Sequence, residues 1–199
     1  MAHLEKGSKK LMNAWAFYDW ANSVYTLVIA SAIFPLYYGA LFKIKGTNYI
    51  DAFGTTIKSS ALISFVTAAA FLVVAIISPL LSGIADYAGN KKSFMQFFCY
   101  LGAFSCIGLF WFDLDQIYIS LTCYFFGLIG YWGSIVFYNS YLPDVAFPEQ
   151  QDSLSARGYS MGYIGSVLLL VFNLAMVLMP DTFGFTGTEG EMAMKAMRF

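Results

Sequence analysis

Residues 14–42, AWAFYDWANSVYTLVIASAIFPLYYGALF, decide the fold. They run for 29 positions with a single ionisable acid or base, Asp19. A helix rises about 1.5 Å per residue, so about 20 apolar residues cross a hydrocarbon core of about 30 Å. Four further stretches, at 59–85, 93–112, 116–142 and 158–179, hold no acid or base at all. Backbone inside lipid must satisfy its own hydrogen bonds, so such segments cross as helices. A soluble core would need amphipathic partners, and the chain offers almost none. The expectation is an all-α polytopic membrane protein. A cytoplasmic tail, 1–13, precedes a helix bundle over 14–199 with five transmembrane helices and the start of a sixth.

Composition agrees. Of 199 residues, 59% are apolar and 12% charged, against about 25% charged in a soluble domain. A net charge of −1 gives no basic surface for nucleic acid. The first apolar run is too long for a signal-peptide core and lacks a small-residue cleavage site. Cys99, Cys106 and Cys123 all fall inside expected spans and read as packing residues. With no CxxC pair and a single histidine, His3, in the tail, neither a metal site nor a cofactor is expected.

Punctuation between the apolar runs sets the expected connections. Trp15, Trp20, Tyr37 and Tyr38 lie where interfacial anchors of the first span would sit, and Pro35 should kink its outer part. KIKGTNYIDAFGTTIK (43–58) reads as a polar loop, GIADYAGNKK (83–92) as a tight loop, and WFDLDQ (111–116) as a short turn. YLPDVAFPEQQDSLSAR (141–157) reads as a polar loop with two prolines, and the fifth span should stop at Pro180. With the N-terminus inside, cytoplasmic segments hold Lys6, Lys9, Lys10, Lys91, Lys92 and Arg157. Outer segments hold Lys43, Lys45, Lys58, Lys195 and Arg198. The N-terminal cluster favours that orientation under the positive-inside rule. The chain ends at EMAMKAMRF, where a sixth apolar run is expected to begin, which suggests one half of a longer transporter.

Asp19 is the leading functional candidate. An ionised carboxylate in hydrocarbon costs about 2.5–3.5 kcal/mol on insertion scales, so it must face a cavity or a partner. At helical spacing Asp19, Asn22 and Thr26 line one face, with Ser23 beside them, and Tyr18, Asn22 and Tyr25 line an adjacent strip. A polar stripe of this kind suits the wall of a solute pathway. The alternative is a carboxylate near the headgroups that caps or pairs locally. On the fourth span Tyr131, Ser134, Tyr138 and Asn139 add a second polar strip. Gly158, Gly162 and Gly165 step along the fifth span, and a GxxxG pair lets helix backbones approach closely. In GIADYAGNKK, Gly89 permits a left-handed backbone, Asp86 is suited to accept backbone N–H bonds at a helix start, and Lys91 and Lys92 sit at the membrane face. Arg157 follows Asp144, Glu149 and Asp152, and reads as paired with one of them or with phosphate headgroups.

These residues carry a resemblance. Asp86, Gly89, Lys91 and Lys92 resemble the loop signature between the second and third helices of the major facilitator superfamily; with Arg157 they form the expected gating set. NAWAFYDWANSVYTLVI (13–29), FYNSYLPDVA (137–146) and SARGYSMGYIGSVLLL (155–170) resemble the vacuole-effluxer-like branch, whose fungal members export amino acids from the vacuole. The resemblance covers nearly the whole chain. It implies twelve helices in two six-helix halves, with this chain supplying the N-terminal half of a bacterial-type member in the inner membrane. Its expected partners are the lipid bilayer, a small-molecule solute, protons or another coupling ion, and a C-terminal half. Two other readings stand beside a secondary transporter: a non-transporting half or membrane scaffold, and a membrane enzyme. The enzyme reading has only Asp86, Asp144, Asp152 and Arg157 to gather, with no histidine in reach.

Overall fold

A computed structural model describes residues 5–198, apart from the side chains of Ala85, Asp86, Ala88 and Glu189. Helix α1 spans Lys9–Asn22, and a π-helical segment, Tyr25–Ile33, follows it into α2, Phe34–Lys45. Two short strands, β1 (Tyr49–Ala52) and β2 (Thr55–Lys58), precede α3 (Ser59–Ala88), α4 (Lys91–Leu109) and α5 (Ile117–Ser140). After them come α6 (Leu142–Val145), α7 (Pro148–Leu178), a 3-10 turn (Pro180–Phe183) and α8 (Glu189–Arg198).

Four helical stretches are long and apolar enough to cross a membrane: Lys9–Lys45, Ser59–Ile84, Ile117–Val145 and Pro148–Leu178. Leu72, Ile76 and Leu80 recur at intervals of four on α3 and are all exposed. In water such a stripe would be a large apolar patch; in lipid it is the outward face of a spanning helix. The expected third span is helical as α4, but α4 falls outside this set. Its 19 residues reach about 28 Å, and its first turns carry Lys91, Lys92 and Gln96, which lower its apolar character.

Several connections differ from the sequence reading. Segment 43–58 is not all loop: β1 and β2 pair antiparallel, with Tyr49 opposite Lys58 and Ala52 opposite Thr55. GIADYAGNKK is mostly helix, because α3 runs to Ala88 and only Gly89 and Asn90 separate it from α4. Gly89 does take a left-handed φ of 61°. Asp86 lies inside α3 rather than at a helix start, and its side chain lies outside the described residues. Asn90 flanks α4 instead, its Oδ1 accepting a hydrogen bond from the Ser93 hydroxyl at 2.7 Å. Segment 141–157 folds as α6 and the first turns of α7. Pro148 opens α7, where its missing N–H costs nothing, and Gln150 Oε1 turns back to accept the Phe147 N–H at 3.1 Å. The 31 residues of α7 therefore reach about 46 Å, well beyond a hydrocarbon core. As expected, α7 stops just before Pro180.

The described residues divide into two compact units: 5–35 with 138–197, and 36–137 with 198. In the first, α7 packs along α1. In the second, glycines set the approach of α4 to α5. Gly130 meets the backbone of Gly102, Gly133 lies under the Phe98 ring, and Gly108 faces Cys123 Sγ. The Cys123 thiol thus fills a packing gap. Phe94 and Phe98 both stack on Phe137. Tyr37 and Tyr38, expected as interfacial anchors, are buried in the protein. Their hydroxyls donate to the carbonyls of Phe112 (2.8 Å) and Ser59 (2.9 Å). A hydroxyl satisfied inside the protein lets a tyrosine be buried.

Candidate functional site

The site is built in the first unit, where α1 ends. Asp19 is 7% exposed. Its carbonyl accepts the Ser23 N–H, and its Oδ1 accepts the Ser23 hydroxyl at 2.9 Å. That one-turn pairing fixes the carboxylate on the helix face. No basic side chain forms an ion pair with it among the described residues. Its second oxygen, Oδ2, points toward α7. A Cβ placed at Gly162 would lie 3.2 Å from Oδ2, and one at Gly158 3.6 Å from it. At both positions α7 lies against α1: a Cβ would come within 2.9 Å of the Trp15 ring at Gly158 and 2.7 Å of the Ser23 hydroxyl oxygen at Gly162.

Aromatic rings pack beside the same contact. The Trp15 indole N–H donates to the Tyr138 carbonyl at 3.2 Å, and the two rings stack at 4.3 Å. Tyr18 stacks on Tyr138 from the other direction at 4.9 Å. Tyr138 is 4% exposed, and its hydroxyl has no hydrogen-bond partner among the described residues. That hydroxyl would lie 3.1 Å from a Cβ at Gly158. Gly158 therefore faces both the Tyr138 hydroxyl and Asp19 Oδ2. A buried hydroxyl with no partner among the described residues is an unusual arrangement, since buried polar atoms are normally satisfied.

The three α7 glycines line the contact with α1. Gly158 faces Trp15, Gly162 faces Ser23, and Gly165 faces the Trp20 carbonyl and indole. They allow the two segments to pack closely. Trp15, expected as an interfacial anchor, is likewise buried, and its N–H is used internally. Its position four residues before Asp19 places it on the same helix face, which is the signal that would have assigned it to the site.

Other sequence candidates do not converge here. The Thr26 hydroxyl donates to the Ser23 carbonyl at 2.9 Å, so it serves the backbone where α1 gives way to the π-helical segment. Asn22 is half-buried, with an Nδ2 that has no partner among the described residues, and Tyr25 is buried. Ser134 is buried and donates to the Tyr131 carbonyl. Asn139 and Arg157 are exposed. Arg157 makes no ion pair among the described residues, so the expected pairing with Asp144, Glu149 or Asp152 is absent there. Gly89 and Lys92 are exposed and Lys91 is half-buried. No cluster of three or more potential metal ligands occurs among the described residues.

Residues 7–197 match the family model described as "Vacuole effluxer Atg22 like". An uncharacterised MFS-type transporter of Bacillus subtilis (strain 168), YxiO, is 34% identical over 170 residues, covering 85% of this chain and 38% of that protein. An uncharacterised protein of Aquifex aeolicus (strain VF5) is 27% identical over 176 residues, covering 87% of this chain and 41% of that protein. The chain thus spans about two-fifths of the length of these curated relatives. No solved structure matches it.

Proposed function

The chain belongs to the vacuole effluxer Atg22-like family of major facilitator transporters, and on that premise we propose that it builds the Asp19 site of a secondary active transporter. In this reading the protein moves small solutes, amino acids among them, by alternating access. Asp19 takes up the coupling proton or cation, and Tyr138, Tyr18 and Trp15 form the wall beside it. The observation that carries the reading is the buried Asp19 carboxylate, opposite Gly158 and Gly162, which accepts the Ser23 hydroxyl and forms no ion pair among the described residues. A buried carboxylate at membrane depth is retained at a cost and serves ion or proton movement in many membrane proteins. The glycines leave α7 smooth where it faces α1, so in this reading the seam shifts during rocking.

The same reading makes α4 a further span and places the chain in a bacterial cell membrane, with Lys6, Lys9 and Lys10 on the cytoplasmic side. Asp86, Gly89, Lys91, Lys92 and Arg157 then lie at the cytoplasmic face as the gating set. The test is solute flux in vesicles that carry the full-length gene product. Asp19→Asn should abolish the pH or cation dependence of flux while leaving the protein folded in the membrane. Flux equal to that of the unaltered protein, with the same dependence, would remove Asp19 from the coupling role.

A further inference from the structure

The hairpin between α2 and α3 takes no part in the site above. Its strands pair up to Ala52 and Thr55, leaving Phe53 and Gly54 as a two-residue loop. Both have positive φ, 53° and 78°. Such loops favour Asn-Gly or Gly-Gly, and a bulky residue in the left-handed region is an outlier. Phe53 is held there by α5: its N–H donates to the Tyr118 hydroxyl at 3.1 Å, and the two rings meet edge to face at 5.4 Å. Tyr118 is the second residue of α5, at the end of a stretch apolar enough to span a membrane. The hairpin tip is therefore held against the first turn of that helix. The Phe53 ring nonetheless stays 70% exposed, and Tyr118 is 52% exposed. Lys45 ends α2 and Lys58 ends β2, both exposed.

We propose that Phe53 and Tyr118 form an interfacial anchor that inserts at the boundary between lipid headgroups and acyl chains, with Lys45 and Lys58 facing anionic phosphates. The occupant is a lipid surface because of depth and composition. Aromatic rings gather at this level of the bilayer, and lysines beside it extend to the phosphates. The strained turn presets the ring's direction, so insertion orders nothing further. The anchor pins the link between α2 and α3 to one leaflet.

Depth measurement tests this on the full-length gene product in vesicles of phosphatidylethanolamine and phosphatidylglycerol. A nitroxide at Phe53→Cys, with Cys99, Cys106 and Cys123 replaced by serine, should collide preferentially with oxygen over a water-soluble nickel chelate. Preference for the chelate, as for a label in water, overturns the proposal. Shielding from both reagents, as under a protein partner, overturns it too. A second variant, Phe53→Trp with the native cysteines, guards against misfolding of the cysteine-free protein. Its fluorescence should be quenched by lipids brominated near the headgroup beyond the quenching of the four native tryptophans. No added quenching in a folded Phe53→Trp protein overturns the proposal independently.

Discussion

Gly162 on α7 faces Ser23 at the end of α1 so closely that a Cβ at position 162 would lie 2.7 Å from the Ser23 hydroxyl oxygen and 3.0 Å from its Cβ. Gly162→Ala must therefore part the two helices or turn Ser23 away from Asp19. Overpacking of this kind costs about 1–3 kcal/mol. A lower thermal unfolding temperature in detergent is expected. Ser23→Ala, which removes the hydroxyl, should recover part of the loss.

Tyr138 offers a sharper separation of packing from chemistry. Its ring stacks between Trp15 and Tyr18, but its hydroxyl has no partner among the described residues. Tyr138→Phe should leave stability unchanged or slightly raised, because an apolar replacement for an unsatisfied buried group forfeits no bond. Tyr138→Ala should cost about 3–5 kcal/mol, as large aromatic truncations do. Thermal unfolding of the two variants reads the difference. If flux also falls in Tyr138→Phe, the hydroxyl acts in the pathway and not in the fold.

Two glycines in the second unit should respond with opposite signs. Gly130 abuts the Gly102 backbone, whereas Gly83 on α3 has open space where its Cβ would stand. Gly130→Ala should destabilise, since backbone does not yield as a side chain does. Gly83→Ala should stabilise by up to about 1 kcal/mol through helix propensity alone. Denaturation of both variants in the same detergent checks the pair.

The α8 terminus carries a pH-dependent cap. The Thr188 N–H donates to Glu191 Oε2 at 2.9 Å, and the Glu191 N–H reaches the Thr188 hydroxyl at 3.4 Å, which is a capping box. The Thr188 N–H and hydroxyl hold the Glu191 carboxyl below its ordinary value. A depressed carboxyl stabilises the fold above its unfolded value and loses that contribution as pH falls through the folded value. Amide exchange in α8, corrected for intrinsic rates, should quicken as pH drops through that window. Glu191→Gln should remove the dependence.

Apolar run length made the spanning helices legible, and the resemblance carried by 13–29 and 155–170 matched the family. Connections were read less well. Residues 148–157 are polar, so they resemble a loop, yet Pro148 at the first helical position and the Gln150 cap start α7 there. Residues 83–88 join α3 because no breaker occurs before Gly89. At the site, Asp19 and the α7 glycines stood out singly, one by charge in an apolar run and the others by spacing. Their meeting was hidden, because contact between residues more than a hundred positions apart leaves no periodic trace. The aromatic residues were misassigned for a related reason: a Trp or Tyr near a helix end reads alike whether its polar atom meets water or a carbonyl such as that of Tyr138 or Phe112.

The widened turns of Tyr25–Ile33 have a defined upper stop. The Phe34 N–H reaches back five residues to the Ile29 carbonyl, and the next residue, Pro35, has no N–H to offer either Ala30 or Ser31. The chain therefore passes from the widened turns into α2 across a position that donates to neither register.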